Sequence, residues 1–229
     1  MKNPPRLSER LLAVSGYVRD GAFVADVGTD HAYLPIYLCA QNKISGAIAS
    51  DINEGPIDRA RINVSEYGLC EKISLCLTDG LSGIESYSPS DIMICGMGGE
   101  LIVKILSDAD WVKRDGIRLI LQPMTHADKL RKYLCEVGFL IIDESIVKED
   151  RSYQIICAEY TGERYSYTDV ELILGKHNIE KMNQTFIEYA NYVRGVFLTK
   201  RDGKLSSGAD VSDEENIINE IDLILKNKK

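Results

Sequence analysis

Ala25-Asp-Val-Gly-Thr-Asp-His-Ala-Tyr-Leu-Pro35 decides how the rest of the chain is read. The stretch follows a short apolar run (Phe23, Val24, Ala25) and precedes a helix-compatible segment, Ile36 to Gln41, which places it at a strand-to-helix turn. In an open α/β sheet, ligands bind at such turns, beyond the carboxyl ends of the strands. Asp51 closes the next apolar run, 25 residues after Asp26. That is near the spacing at which an acidic residue meets a ribose hydroxyl. The opening of the chain therefore reads as a nucleoside-cofactor site.

Charge narrows the choice of cofactor. A dinucleotide fingerprint needs glycines so that the backbone can approach a pyrophosphate. Aligned on Gly28, the second glycine position holds Asp30 and the third holds Tyr33. A carboxylate where phosphate would sit repels it strongly in a partly dry cleft. S-adenosylmethionine has a ribose and an adenine, no phosphate, and a cationic sulfonium, so it suits this turn better than NAD.

At 229 residues, 45% of them hydrophobic and 27% charged, the chain can bury one full core plus a smaller appendage. It contains no run of 18 apolar residues, and Met-Lys-Asn-Pro-Pro-Arg lacks the apolar region of a signal peptide. A soluble cytoplasmic protein, off the membrane, is expected. Six cysteines form no C-x-x-C pair and mostly sit in apolar runs, the pattern of buried reduced thiols rather than of a metal site. The net charge of −8 argues against a generic nucleic-acid binder, yet phosphate contacts need only a local basic patch. Such clusters occur at Arg6 with Arg10 and at Lys129 with Arg131 and Lys132. Similar clusters stand at Lys113 with Arg114 and Arg118, and at Lys200 with Arg201 and Lys204.

Outward from the first turn, apolar and amphipathic runs alternate regularly to about residue 162. Leu7 to Val18 reads as an amphipathic helix. Strand-like runs follow at 22–27, 46–51, 73–77, 91–95 and 117–121, with helix-like segments at 33–42, 54–67, 99–109 and 126–137 between them. This is the βαβ rhythm of a mostly parallel, doubly wound sheet. Runs 139–148 and 152–160 are separated only by Glu149-Asp-Arg151, room for nothing but a hairpin. A mostly parallel α/β sheet ending in an antiparallel hairpin is the Rossmann-like sheet of class I methyltransferases. From about Tyr165 only helical periodicity remains, with Phe186, Tyr189, Val193 and Val196 on one face and Ile217, Ile221 and Ile224 on another. Lys200 to Asp213 reads as the loop of this helical hairpin. Two domains are expected, 1–162 and 163–229.

Other strand ends carry residues that suit the same cofactor. Asp79, in Thr78-Asp-Gly80, is placed either to accept from the adenine amino group or simply to make an Asp-Gly turn. Three glycines within Gly96-Met-Gly-Gly99 mean a close approach to the backbone, by a ligand or by a packed helix. The Asn- or Asp-Pro-Pro sequence common in enzymes that methylate exocyclic amines is absent there, which favours a ring nitrogen as acceptor. Gln122 is suited to reading a base edge or to satisfying turn backbone, and Thr125 to capping the next helix. Of three histidines, His31 alone lies in the cofactor turn; His126 and His177 read as structural or surface residues.

Together these strings resemble the bacterial tRNA (adenine-N1)-methyltransferases that modify adenine 22 in the D-loop region. The resemblance rests on Leu7-Ser-Glu-Arg-Leu-Leu12, the Ala25–Pro35 turn, Ser50-Asp-Ile-Asn53 with Gly55-Pro56, Thr78-Asp-Gly-Leu81, Ile94-Cys-Gly-Met-Gly-Gly99 and Leu121-Gln-Pro-Met124. It implies a methyltransferase domain followed by a coiled-coil-like helical domain, S-adenosylmethionine as cofactor, no metal, and tRNA as partner. Asp26, Gly28, His31, Asp51, Ile52, Asn53, Asp79, Gly80 and Gly96 are expected at the cofactor. Asp30 is expected at the reacting base, with His31 and Gln122 orienting it. Arg6, Arg10, Lys129, Arg131 and Lys132 are expected on RNA, and the chain is expected to be a monomer. A small-molecule methyltransferase and a non-catalytic RNA-binding module with the same fold are the competing readings.

Overall fold

The computed structural model describes residues 3–227. Seven strands form one sheet in the order β3-β2-β1-β4-β5-β7-β6. In chain order they are β1 (Phe23–Val27), β2 (Gly46–Asp51), β3 (Ile73–Leu77), β4 (Asp91–Met97), β5 (Arg118–Pro123), β6 (Phe139–Lys148) and β7 (Ser152–Tyr160). The first five pair in parallel, and β7 lies antiparallel between β5 and β6. Strands β1, β2 and β5 are buried along nearly their whole length, and β4 over Asp91–Ile94, as helices on both faces require. The expected strands and the closing hairpin are all present.

Helices α1 (Glu9–Tyr17), α2 (Tyr33–Ala40), α3 (Glu54–Glu66), α4 (Gly99–Ser107) and α5 (Ala127–Val137) cover the sheet. Two apolar cores result, one around Ile92, Ile94 and Ile102, the other around Val24, Ile36 and Met93. Ser8 caps α1 through its side chain. Thr125 does not cap α5, contrary to expectation. His126 occupies that position with φ 52° and no side-chain cap, while the Thr125 carbonyl accepts the Gly99 N–H at 2.8 Å.

The tail begins with two short helices, α6 (Asp169–Leu174) and α7 (Lys176–Lys181), before the long pair α8 (Gln184–Ser206) and α9 (Ser212–Lys226). Phe186, Ala190, Val193 and Ile221 bury against Val170, Leu174 and Ile146 of β6, so the tail is packed onto the sheet. The loop expected from Lys200 is corrected: α8 continues to Ser206. Lys200 lies 4.7 Å over the Phe197 ring, and Lys204 reaches Glu214 of α9 at 2.8 Å, so polar residues there solvate a helix rather than end it. No helix among the described residues is long and apolar enough to cross a membrane.

Candidate active site

β1 lies between β2 and β4, the point where the strand order reverses and a crevice must open beyond the strand ends. A cavity of about 340 Å³ sits there. Its wall is the turn from Asp26 to Leu34, Cys95 and Gly96 after β4, and Arg10 and Leu11 of α1.

The turn is fixed by its own backbone. Gly28 has φ +78°, a left-handed conformation that favours glycine, and a Cβ at that position would also push the Met97 side chain aside. The Gly28 and Thr29 N–H groups donate to the Ser50 carbonyl at 2.8 and 2.9 Å. The Thr29 hydroxyl accepts the Ala32 N–H at 3.2 Å, and the Asn63 amide donates to the His31 carbonyl at 2.9 Å. Gly96 has φ +78° and borders the cavity, whereas a Cβ on Gly99 would lie 2.2 Å from the His126 carbonyl oxygen. The glycine string therefore serves both purposes, an open cavity wall and a tight helix start.

Asp26 is buried at the end of β1 and faces this cavity. Desolvation pushes its carboxyl from 3.8 up to about 6, against a lowering hydrogen bond from Thr29. Among the described residues no cation pairs with it. Burial, with the Asp26 charge behind it, also pushes the Cys95 thiol well above its ordinary range, so Cys95 is a neutral wall residue.

Arg10 is the residue whose place the sequence misjudged most. Its guanidinium turns inward, donates to Gln122 Oε1, lies 5.2 Å over the Tyr153 ring and lines the cavity. Its backbone N–H is held by Glu149. The structure therefore places it in the cavity wall, half-buried, rather than displayed on the outer face of α1 as the sequence led one to expect. Gln122 is also corrected as a reader of base edges. It is fully buried, donates to the Pro123 carbonyl at 3.0 Å, and accepts from the Gly96 N–H at 3.1 Å as well as from Arg10. Its role is to orient Arg10 and the Gly96 loop.

Asp30 and His31 stand at the cavity mouth. Asp30 is exposed, ion-paired to Arg59, with its second oxygen 3.3 Å from His31 Nε2. The His31 ring stacks on Tyr33 with centroids 5.0 Å apart. Asp51, Ile52 and Asn53 continue the row of strand ends from β2, and Asp79 and Gly80 from β3, all outside the lining of this cavity. Asp51 accepts the Asn53 N–H at 2.8 Å, and Ile52 holds its side chain 60% exposed.

Of the basic residues assigned to RNA, Arg6 is exposed ahead of α1. Lys129 and Lys132 are exposed on α5 beside Glu100 and Glu136. Arg131 is corrected: its side chain is fully buried. It binds Glu144 at 2.5 Å, the Leu172 carbonyl at 2.7 Å and Gln154 at 2.6 Å, which removes it from any surface patch. Position could have revealed this, since Arg131 shares the apolar face of α5 with Ala127 and Leu134.

Known proteins resemble this chain in sequence and in fold. A family model described as a methyltransferase domain matches residues 7–156. The chain is 40% identical over 174 residues to the tRNA (adenine(22)-N(1))-methyltransferase of Bacillus subtilis, covering 76% of this chain and 73% of that one. The crystal structure of B. subtilis m1A22 tRNA methyltransferase TrmK superposes with TM-score 0.81 at 33% identity over 96% of each chain. A Streptococcus pneumoniae putative tRNA (m1A22) methyltransferase, solved in complex with S-adenosyl-L-methionine, gives TM-score 0.84 at 34% identity over 96% of this chain and all of that one.

Proposed function

The chain belongs to the methyltransferase-domain family and, within it, to the tRNA (adenine(22)-N(1))-methyltransferases, and on that premise we propose that it methylates N1 of adenine 22 in tRNA from S-adenosylmethionine. The observation that carries this reading for the chain's own residues is the cavity at the β1–β4 switch point. One wall carries a buried carboxylate without a cation and another carries an arginine. An acid and a guanidinium facing one small cavity complement the two charges of an amino-acid end.

When bound, the cofactor supplies a methyl group on a cationic sulfur. Asp26 receives the ammonium of its amino-acid end, which satisfies the cost of burying that carboxylate. Arg10, held by Gln122 and Glu149, receives the carboxylate. Gly28 and Gly96 keep side-chain bulk out of the cavity, while Asp51, Ile52 and Asp79 serve the nucleoside beyond it. Adenine N1 already has a lone pair, so the protein's main task is to present the base in line with the methyl group. N1 lies on the pairing edge, so the base must be taken out of the stack. The product base is cationic, and the Asp30 carboxylate at the mouth stabilises that charge, with His31 holding it in place.

The test is transfer of labelled methyl to unmodified tRNA, with nucleosides separated by mass spectrometry. N1-methyladenosine is expected. Methylation at the exocyclic amine, or none at all alongside clear cofactor binding, would overturn the reading.

A further inference from the structure

A second cavity, of about 590 Å³, opens where the sheet meets the helical tail. Its walls come from the end of β5 (Met124), the β6–β7 turn (Lys148, Arg151) and α8 (Tyr192, Phe197, Lys200). It adjoins the cofactor cavity through a short relay. Gln122, which accepts from the Gly96 N–H at 3.1 Å, donates to Met124 Sδ at 3.6 Å. The Arg151 guanidinium reaches the same sulfur at 3.5 Å from the other side.

The composition of this groove differs from the protein's surface as a whole. The chain carries a net charge of −8, yet three cations converge here. Tyr192 is 68% exposed, the most exposed of the large apolar or aromatic side chains among the described residues. Two acids also line the groove. Asp150 is turned to the Tyr153 hydroxyl at 2.9 Å, and Asp128 lies at the base of α5. Its inner wall is tied together by hydrogen bonds: the Tyr189 hydroxyl accepts from Gln154 at 2.9 Å, and Gln154 is held by the buried Arg131.

Resting on the tRNA-methyltransferase reading, we propose that this groove is a nucleotide subsite. It takes the nucleotide next to the target adenine, its base stacked on Tyr192 and its phosphates met by Lys148, Arg151 and Lys200. An exposed aromatic ring interleaved with cations is what a single-stranded nucleotide requires, since every base has a face to stack. Enzymes that act on an extruded base also contact its flanking nucleotides, and the Gln122–Met124–Arg151 relay puts this groove one step from the reacting position. A cavity of this size accommodates a nucleotide.

Tyr192→Leu, Tyr192→Phe and Lys200→Gln test this in the full-length chain. Tyr192→Leu is expected to weaken binding of unmodified tRNA, read by fluorescence anisotropy, by about tenfold or more. Tyr192→Phe is expected to restore it, which separates stacking from the hydroxyl. Lys200→Gln is expected to weaken binding and flatten its dependence on salt. Cofactor affinity and thermal midpoint are expected to stay at wild-type values in all three. Wild-type tRNA affinity in both Tyr192→Leu and Lys200→Gln would overturn the subsite, as would equal loss in Tyr192→Leu and Tyr192→Phe. Wild-type chain that binds tRNA but transfers no methyl would instead overturn the activity reading, leaving the groove to be judged by binding alone.

Discussion

Asp26 is a carboxylate that the fold would rather keep protonated. Its folded value of about 6 lies above the ordinary 3.8, so between those values the native state holds a proton that the unfolded chain releases. Stability from this group is therefore present at low pH and lost as pH rises through about 6, by about 3 kcal/mol in all. A bound ammonium reverses the balance. Cofactor affinity is expected to rise with pH through about 6, with proton release on binding below it. Calorimetry at pH 5.5 and 7.5, in buffers of different ionisation enthalpy, reads both effects. Asp26→Asn should weaken binding and remove its pH dependence; an unchanged pH profile would contradict the role given to this residue. Arg10→Gln should weaken cofactor binding by about tenfold or more through loss of one charged hydrogen bond. The Asp26 turn was legible because its spacing to Asp51 and its glycine are local signals. Arg10 was not, because an arginine close to Arg6 in sequence looks like part of a solvated basic cluster until the sheet shows which side α1 presents.

At the scale of elements, the tail is joined to the sheet by a fully buried ion pair. Arg131 of α5 and Glu144 of β6 meet at 2.5 Å, and the same guanidinium takes the Leu172 carbonyl near the end of α6. Glu144 also accepts the His177 N–H at 3.3 Å, and Gly175 fits beside the pair because a Cβ there would lie 2.7 Å from Arg131 Nη2. Removing one partner strands the other in the core. Arg131→Ala is expected to cost about 3–5 kcal/mol in denaturant unfolding, while the paired change Arg131→Met with Glu144→Leu costs much less. A loss under about 1 kcal/mol for Arg131→Ala would show that the pair is solvated in solution. Strand positions were readable nearly to the residue because fully buried parallel strands form unbroken apolar runs. The length of α8 was not. Lys200 to Ser206 has loop-like composition, and its contacts with Phe197 beneath and Glu214 opposite are not local signals.

The whole molecule must hold a polyanion while carrying a net charge of −8 itself. Few cations can share that task, and several exposed ones are already matched: Lys129 by Glu100, Lys132 by Glu136, Arg59 by Asp30. Lys129→Ala with Lys132→Ala is therefore expected to change tRNA affinity less than about threefold, the scale of exposed ion pairs, by titration at fixed salt. A larger loss would move the RNA path onto α5. The division of labour we propose is a cofactor at the β1–β4 crevice, the target base at its mouth, and flanking RNA across the groove to α8. The measurement that tests this most directly is reverse transcription of tRNA incubated with the chain and S-adenosylmethionine, because a methyl on N1 blocks the pairing edge. A cofactor-dependent stop at adenine 22 is expected, absent when that adenine is replaced and weaker with Asp26→Asn. A stop elsewhere, or none in tRNA that the chain demonstrably binds, would contradict it.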